Sequence, residues 1–324
     1  MEIAPDSVKV DGQAIRPIPM LEPLMLTRQK VLLHLINRSP KPLGRLKFVK
    51  LCFLLRAEFQ SAGGPSFYSF LPYKHGPFSF GLYHELDRLQ RMGYLLGDDE
   101  LRGIRVSEEA LDKEDALPMY LTQDISRLLD RHGRKSASQL VEYVYPRFPW
   151  YTVNSSRPMD MIPQIDPQVF LVGYEGLQVD DLLDLLLRNG IRIVADIRSN
   201  PVSRRFGFHG STLKRLCGKL DIEYVHMPEL GIPSASRRGA VTDDDFQLLF
   251  EFYEETTLQV ETDSLRLLSG LIRTKPCALL CMEEEPVSCH RFRVGRKLSD
   301  NCGLPMRDLR CRLPSQTTGL RRKS

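Results

Sequence analysis

The stretch Ile191-Arg192-Ile193-Val194-Ala195-Asp196-Ile197-Arg198-Ser199-Asn200-Pro201 decides how the second half of the chain is read. A short run rich in Ile and Val, then an acidic residue, an arginine and a Ser-Asn-Pro breaker, describes a buried strand that delivers charged groups to a loop at its carboxyl end. Upstream, Val169-Phe170-Leu171-Val172 is a second apolar run, closed by Gly173-Tyr174-Glu175-Gly176. Leu182, Leu183, Leu185, Leu186 and Leu187 then line a helix that stops at Asn189-Gly190. Downstream come a helix around Leu213, Leu216 and Leu220, a strand ending at His226, and helices over about Asp243–Thr257 and Asp263–Arg273. The strand Cys277–Cys281, a helix from Cys289, and an edge strand within Arg307–Arg312 complete the alternation. Strands alternating with helices predict an α/β fold with three layers, a mainly parallel sheet covered on both faces, and functional residues just past the carboxyl ends of strands.

The first half reads differently. Residues 1–24 mix proline with charge and show no period, which predicts a loose arm. Thr27 precedes Lys30-Val31-Leu32-Leu33-His34-Leu35-Ile36, a helical pattern stopped by Ser39-Pro40-Lys41-Pro42. A second helix carries Leu46, Val49, Leu51, Cys52, Leu54 and Leu55, and Phe67–Tyr73 reads as a short aromatic strand. Gly76-Pro77 punctuates, Ser79 caps, and Leu82, Leu86, Leu89 and Met92 mark a helix ended by Gly93. Two strands around Leu95 and Arg105 close the pattern, whose order predicts a mainly helical, winged-helix-like domain over 25–155. A linker follows at 156–167, the α/β domain occupies 168–313, and 314–324 is a basic disordered tail.

Composition narrows the function classes. With 324 residues, 42% hydrophobic and 27% charged, the chain is long enough for two domains, because single cores rarely grow past roughly 250 residues. The balance of 45 basic against 41 acidic residues permits an anionic partner without the long basic tracts of a histone-like chain. Seven cysteines without regular spacing do not form the framework of a small secreted domain, so a reducing cytoplasm is expected. No signal peptide or membrane span is expected, since nowhere do about 18 apolar residues run together.

Three loops of the second half carry the chemistry. Gly173-Tyr174-Glu175-Gly176 lets backbone approach a ligand through its glycines, with Tyr174 alongside, although it also reads as a plain strand-to-helix turn. In Asp196–Phe206, the guanidiniums of Arg198, Arg204 and Arg205, with Ser199, are placed to converge on an oxyanion; the alternative is an Asp-Arg pair stitching loop to sheet. In Cys281–Arg291, Pro286 and Ser288 break the chain before a helix, so Cys289, His290 and Arg291 sit in a first turn that favours a thiolate or an anion.

The segments "LVGYEG", "VADIRSNPVSRRFGF", "GIPSASRRG" and "CALLCMEEEPVSCHRFRVG" resemble the DUF488 family of bacterial and archaeal proteins, over about residues 168–310. That resemblance implies an α/β domain and a shared site of Asp196, Arg198, Arg205, Cys281, Glu283, Cys289, His290 and Arg291, without a reaction. The segments "YKHGPFSFGLYHELDRLQRMGYL" and "LVEYVYPRFPWY" resemble SocA-like (Panacea) and YwgA-type domains, which implies toxin neutralisation and protein contacts.

These residues suit a nucleic-acid or nucleotide processing enzyme. Arg198, Ser199, Arg204, Arg205, Arg291 and Tyr174 would bind phosphate, Asp196 would orient the arginines, and Glu283, Cys289 and His290 would move protons or attack. The N-terminal domain would bring nucleic acid, through Arg45, Lys47, Lys50, Arg88 and Arg91, or a protein partner. The competing reading is a non-enzymatic regulator, antitoxin-like or DNA-binding, that senses an anionic ligand; a third is redox sensing through Cys281 and Cys289. No cofactor is expected. Structural zinc on Cys277, Cys281, Cys289 and His290 is disfavoured, because adjacent Cys289 and His290 seldom bind one ion, so no metal ligand is assigned. The enzymatic reading requires the arginines and the Cys-His-Glu group to open onto one cavity.

Overall fold

A computed structural model of the chain describes residues 9–10, 13–14, 25–97, 103–111, 117–155, 166–233, 235–237 and 242–310. Most of the expected arm, the expected linker over 156–165, the tip of the second hairpin and the basic tail lie outside these residues; within the arm, Lys9–Val10 pairs with Gln13–Ala14.

The second half is built on a five-stranded, wholly parallel sheet. In chain order its strands are Val169–Gly173, Ile193–Asp196, Glu223–His226, Cys277–Cys281 and Met306–Leu309. Across the sheet the order is fifth, first, fourth, second, third. The central three are apolar and buried along almost their whole length, as a sheet covered on both faces requires. Helices Val179–Arg188 and Gly210–Gly218 cover one face, where Phe170, Val172, Val194, Ala278 and Leu280 join their core. Helices Asp243–Glu255, Thr262–Thr274 and His290–Cys302 cover the other, packed on Val169, Leu171, Ile193, Ala195, Cys277 and Leu279. Among the described residues no helix is long and apolar enough to cross a membrane.

The first half is helix-rich, with helices Thr27–Asn37, Arg45–Glu58, Phe80–Arg91, Met119–His132 and Ala137–Arg147 around a separate core. Two small hairpins interrupt them, Leu71–Tyr73 with Gly76–Phe78 and Leu95–Leu96 with Arg105–Val106. Gly76-Pro77 therefore lies within a short strand and is not simply a break: Pro77 pairs opposite Pro72, in a two-stranded ladder where neither N–H is needed. Ser79 caps the next helix as expected, accepting from the Leu82 N–H at 3.1 Å.

Of the five basic residues expected to reach phosphate only Lys50 is buried; each of the five has a partner within the protein, and Arg88 and Arg91 are exposed. Lys50 is buried and donates to the Pro77 carbonyl at 3.0 Å, and burial lowers its pKa to about 7. Lys47 donates to Gly133 O at 2.7 Å, Arg45 meets Asp87 at 3.2 Å, Arg88 faces Glu85 at 3.8 Å, and Arg91 donates to Asp87 O at 3.2 Å.

The halves are joined by apolar packing, Leu71 and Phe80 entering the core under helix Val179–Arg188, and by a buried carboxylate. Asp180, fully buried on Val179–Arg188, accepts from Ser79 Oγ at 3.0 Å, Phe80 N–H at 2.7 Å and Gly81 N–H at 2.8 Å. A side chain of the second half thus satisfies backbone donors at the helix N-terminus of the first, where negative charge is favoured. Around it, Gln178 donates to Phe67 O at 2.7 Å, Trp150 donates to Asp184 at 2.8 Å, and His84 stacks on Phe206 at 3.9 Å. Burial pushes the Asp180 carboxyl up to about 7, although the three donors pull it down. Since the folded protein holds this proton more tightly than the unfolded chain, the group's contribution is full below its unfolded pKa and is lost as pH rises through about 7. Thermal unfolding between about pH 5 and pH 8 should show stability falling with pH, by at most about 1.4 kcal/mol per unit from this group. Asp180→Asn should flatten that dependence; an unchanged slope would show that Asp180 does not carry it.

Candidate functional site

All three expected loops stand at the carboxyl end of the sheet, but they do not form one pocket. Side chains alternate across a strand, and the register sets Leu280 beside Asp196. Asp196 therefore faces the same side as Val194 and Leu280, towards helices Val179–Arg188 and Gly210–Gly218. Cys281, one residue on, faces the side of Cys277 and Leu279. The expected common cavity of arginines and the Cys-His-Glu group is overturned by this parity.

On the first side, Asp196 and Arg198 form a closed network. Asp196 Oδ1 accepts from the Arg198 backbone N–H at 3.1 Å and from Nε at 2.8 Å, while Oδ2 accepts from Arg198 Nη2 and from Tyr224 OH at 2.6 Å. Arg198 Nη1 donates to Tyr174 OH at 2.9 Å and to Phe208 O at 3.0 Å, and the Tyr174 and Phe208 rings stack at 4.3 Å. Burial opposes the charge on Arg198, but Asp196 outweighs it and raises the guanidinium pKa further. Every nitrogen of Arg198 is already paired with protein, and its side chain is buried, so it offers nothing to a ligand. Ser199 Oγ likewise donates to Ile232 O at 3.0 Å. Arg205 lies over Phe208 and donates to Leu177 O; Arg204 is exposed beside it.

Arg291 is also structural. It is fully buried and donates to the carbonyls of Glu283 and of Glu284, the latter at 2.6 Å. The loop it holds rests on Gly173, where a Cβ would overlap the Glu283 carbonyl oxygen. The first Gly of "GYEG" thus admits another backbone and not a ligand; Tyr174 and Glu175 N–H both donate to Met282 O, at 3.1 and 2.8 Å.

On the second side the chemistry gathers. Cys289 is the N-cap of His290–Cys302, with extended backbone (φ −140°, ψ 143°), and His290 is the first helical residue. That change of backbone direction turns both side chains towards Cys281. The ligating atoms of Cys281, Cys289 and His290 lie within 4.8 Å of one another, adjacent Cys289 and His290 included. Glu283 Oε2 accepts from both thiols, at 2.9 Å each. His290 Nε2 lies 3.0 Å from the Ile197 carbonyl, which makes Nε2 the protonated nitrogen and leaves the lone pair on Nδ1. Burial raises the Glu283 carboxyl, but the two thiol bonds, its own N–H and the nearby His290 outweigh it, leaving the pKa below the usual carboxylate value. Burial pushes the Cys289 thiol well up, and the neighbouring Cys281 adds to this.

Glu283, Cys289 and His290 line a cavity of about 700 Å³, bounded also by Ile232, Phe246, Phe250, Met282, Val287 and the two arginines Arg237 and Arg293. Neither arginine was singled out from sequence. Arg237 lies inside the "GIPSASRRG" segment, and Arg293 is one turn beyond His290, at a spacing that shares its helix face. Arg237 meets Glu283 at 3.4 Å and donates to Ile232 O at 3.0 Å; Arg293 lies over Phe250 and meets Glu254 at 3.5 Å. Each also keeps a buried Nε–H that no protein acceptor takes.

Removing a partner of the buried Asp196–Arg198 pair should cost about 3–5 kcal/mol, so Arg198→Ala should lower the Tm by many degrees. Arg204→Ala, at an exposed position, should stay within about 0.5 kcal/mol of the parent. Differential scanning calorimetry of both checks this; an unshifted Arg198→Ala would show that the network is dispensable for stability.

Comparison with curated proteins and with solved structures finds no match. A family model, Domain of unknown function DUF488, matches residues 178–298, from the residue before helix Val179–Arg188 to the middle of His290–Cys302. The match takes in Asp196, Arg198, Arg237 and the whole Cys281–Glu283–Cys289–His290 group, and leaves Tyr174 outside.

Proposed function

We propose that the protein is a nucleotide-processing enzyme whose chemistry takes place on the Cys281–His290 side of the sheet, where Arg237 and Arg293, in place of the expected Arg198, Arg204 and Arg205, share a cavity with the Cys-His-Glu group. The observation that carries this reading is the pairing, within one cavity, of the Glu283 carboxylate with two arginines, Arg237 and Arg293, in its lining. A cavity of about 700 Å³ is of a size for a small molecule, within the roughly 300–1,000 Å³ usual for ligand pockets. A duplex would not enter it; a nucleotide would. The apolar wall of Ile232, Phe246, Phe250 and Met282 suits the flat face of a base, and Arg237 and Arg293 suit a phosphate.

Roles follow from protonation. Glu283, held below the usual carboxylate range, is the group that accepts a proton from the attacking or leaving atom. Cys289 donates to Glu283 Oε2 at 2.9 Å, so Glu283 is placed to take its proton. The adjacent Glu284 and Glu285 are the residues that weigh against anions here. Glu285 is paired with Arg310, by two bonds of 2.8 Å, and that pairing removes much of its repulsion. Asp196 and Arg198 act at one remove: their network fixes Ile197, whose carbonyl orients His290. In the helix-rich half Lys50 is buried and Lys47 is held by the Gly133 carbonyl, which takes two of its expected phosphate contacts away and favours a scaffold or protein-docking role.

Incubating the full chain with a panel of mono-, di- and cyclic nucleotides, then measuring mass change, tests the reading. Conversion of at least one nucleotide is expected, with Glu283→Gln lowering kcat by about 10²–10⁴-fold and Arg237→Ala mainly raising KM. Stoichiometric binding without conversion would make the protein a sensor of anionic ligands, and binding of no anion would overturn the proposal.

A further inference from the structure

The Cys281, Cys289 and His290 side chains meet in a way that storage of inert thiols does not require. All three are buried, with exposures of 1%, 1% and 2%. Around a tetrahedral zinc with Zn–S of about 2.3 Å and Zn–N of about 2.0–2.1 Å, a sulfur and a nitrogen ligand stand about 3.6 Å apart. His290 Nδ1 lies 3.7 Å from Cys281 Sγ and 3.9 Å from Cys289 Sγ. These separations are too long for strong hydrogen bonds and close to those of two ligands sharing one ion.

A second observation is the other ring nitrogen. His290 Nε2 is bonded to the Ile197 carbonyl at 3.0 Å. A metal-bound histidine almost always donates its other N–H to a carbonyl or carboxylate, which fixes the tautomer and aims the free lone pair at the ion. The bond here leaves the lone pair on Nδ1; Cys281 Sγ, at 3.7 Å from Nδ1 and 4.0 Å from Nε2, lies beside the ring, so the Cys281 side chain turns on binding to bring its sulfur into line with that lone pair. The donor set, two thiols and an imidazole, is the soft set that selects zinc over magnesium or calcium.

We propose that Cys281, Cys289 and His290 Nδ1 bind one zinc ion, with the fourth corner open to the cavity. Binding breaks two S–H bonds and forms two Zn–S bonds, and the two protons leave through Glu283 to water. No electron is transferred. Glu283 Oε2, at 2.9 Å from each sulfur, is nearer to both than a fourth ligand would be. It is therefore placed as the proton acceptor beside the ion, and the fourth corner goes to a water or to an oxygen of the substrate. Three protein ligands and one exchangeable position are the arrangement of catalytic zinc sites, in which bound water is acidified towards about pH 7. The site stands on its own geometry and does not rest on the nucleotide reading.

The test is metal content of the full chain, expressed with zinc supplied and passed through gel filtration. About one zinc per chain is expected, falling to background in Cys281→Ser, Cys289→Ser and His290→Gln. Cys277→Ser, a buried thiol on the same strand, should keep its zinc. Because the ligand variants fail the test trivially if they do not fold, the parent protein is also loaded with cobalt(II). Thiolate-to-cobalt charge-transfer absorption with the intense visible bands of a tetrahedral ion is expected. Parent protein that retains no zinc and gives only the pale spectrum of hydrated cobalt would overturn the site, as would folded Cys281→Ser or Cys289→Ser with full zinc content. Zinc bound without nucleotide turnover would uphold the site and sink only the substrate assignment.

Discussion

The carbonyl of Ile197 is the point on which the two sides of the sheet depend. It belongs to a peptide pinned from one side by Asp196 and Arg198 and used on the other by His290. A buried ion pair is costly unless each charge is compensated, and here it is: both Asp196 oxygens and all three Arg198 nitrogens have partners in Tyr174, Tyr224, Phe208 or each other. The result is a rigid loop where a strand end would otherwise be free to move. His226 tightens it further, its Nε2 lying 2.9 Å from the Arg198 carbonyl. A reactive group on one face is thus oriented by a charge network on the other, with one peptide plane between them.

The Met282–Glu284 loop receives the same treatment from a different residue. Arg291 holds its carbonyls from the helix, and Gly173 makes room for them from the neighbouring strand. Glu283 is left with its side chain towards the thiols and its backbone fixed. Preorganisation of this kind is what a proton-transferring carboxylate needs, because its geometry is set before the substrate arrives. Arg237 and Arg293 line the same cavity as Glu283, Arg237 held by Glu283 and the Ile232 carbonyl and Arg293 by Glu254 and Gln247.

The alternation of strands and helices was readable because buried parallel strands are continuous apolar runs ended by breakers, and Cys277–Cys281 falls at the residues where the pattern places it. The Ser79 cap and the stops at Gly93 and Gly190 were readable for the same local reason, φ values of +77° and +61° suiting glycine. The site was legible as a set of residues and not as an arrangement. Whether Asp196 and Cys281 share a face depends on strand register, which pairs Asp196 with Leu280 and is a property of two distant segments. The burial of Lys50, and the use of Asp180 to cap a helix 100 residues away, are likewise tertiary facts without a local signature. Arg198 looked like a phosphate ligand because a strand-end arginine is ambiguous; only its partners show that it stitches the loop. For Cys289 and His290 it is the cap geometry, and not their adjacency, that turns both side chains towards Cys281.

The most direct measurement of this account is a crystal structure of the zinc-supplied chain with anomalous differences recorded across the zinc edge. A single peak is predicted about 2.0–2.3 Å from Cys281 Sγ, Cys289 Sγ and His290 Nδ1, on the face of the sheet opposite the Arg198 side chain. A Cys281–Cys289 disulfide, a zinc bound elsewhere, or an Arg198 side chain opening into the same cavity as Glu283 would contradict it.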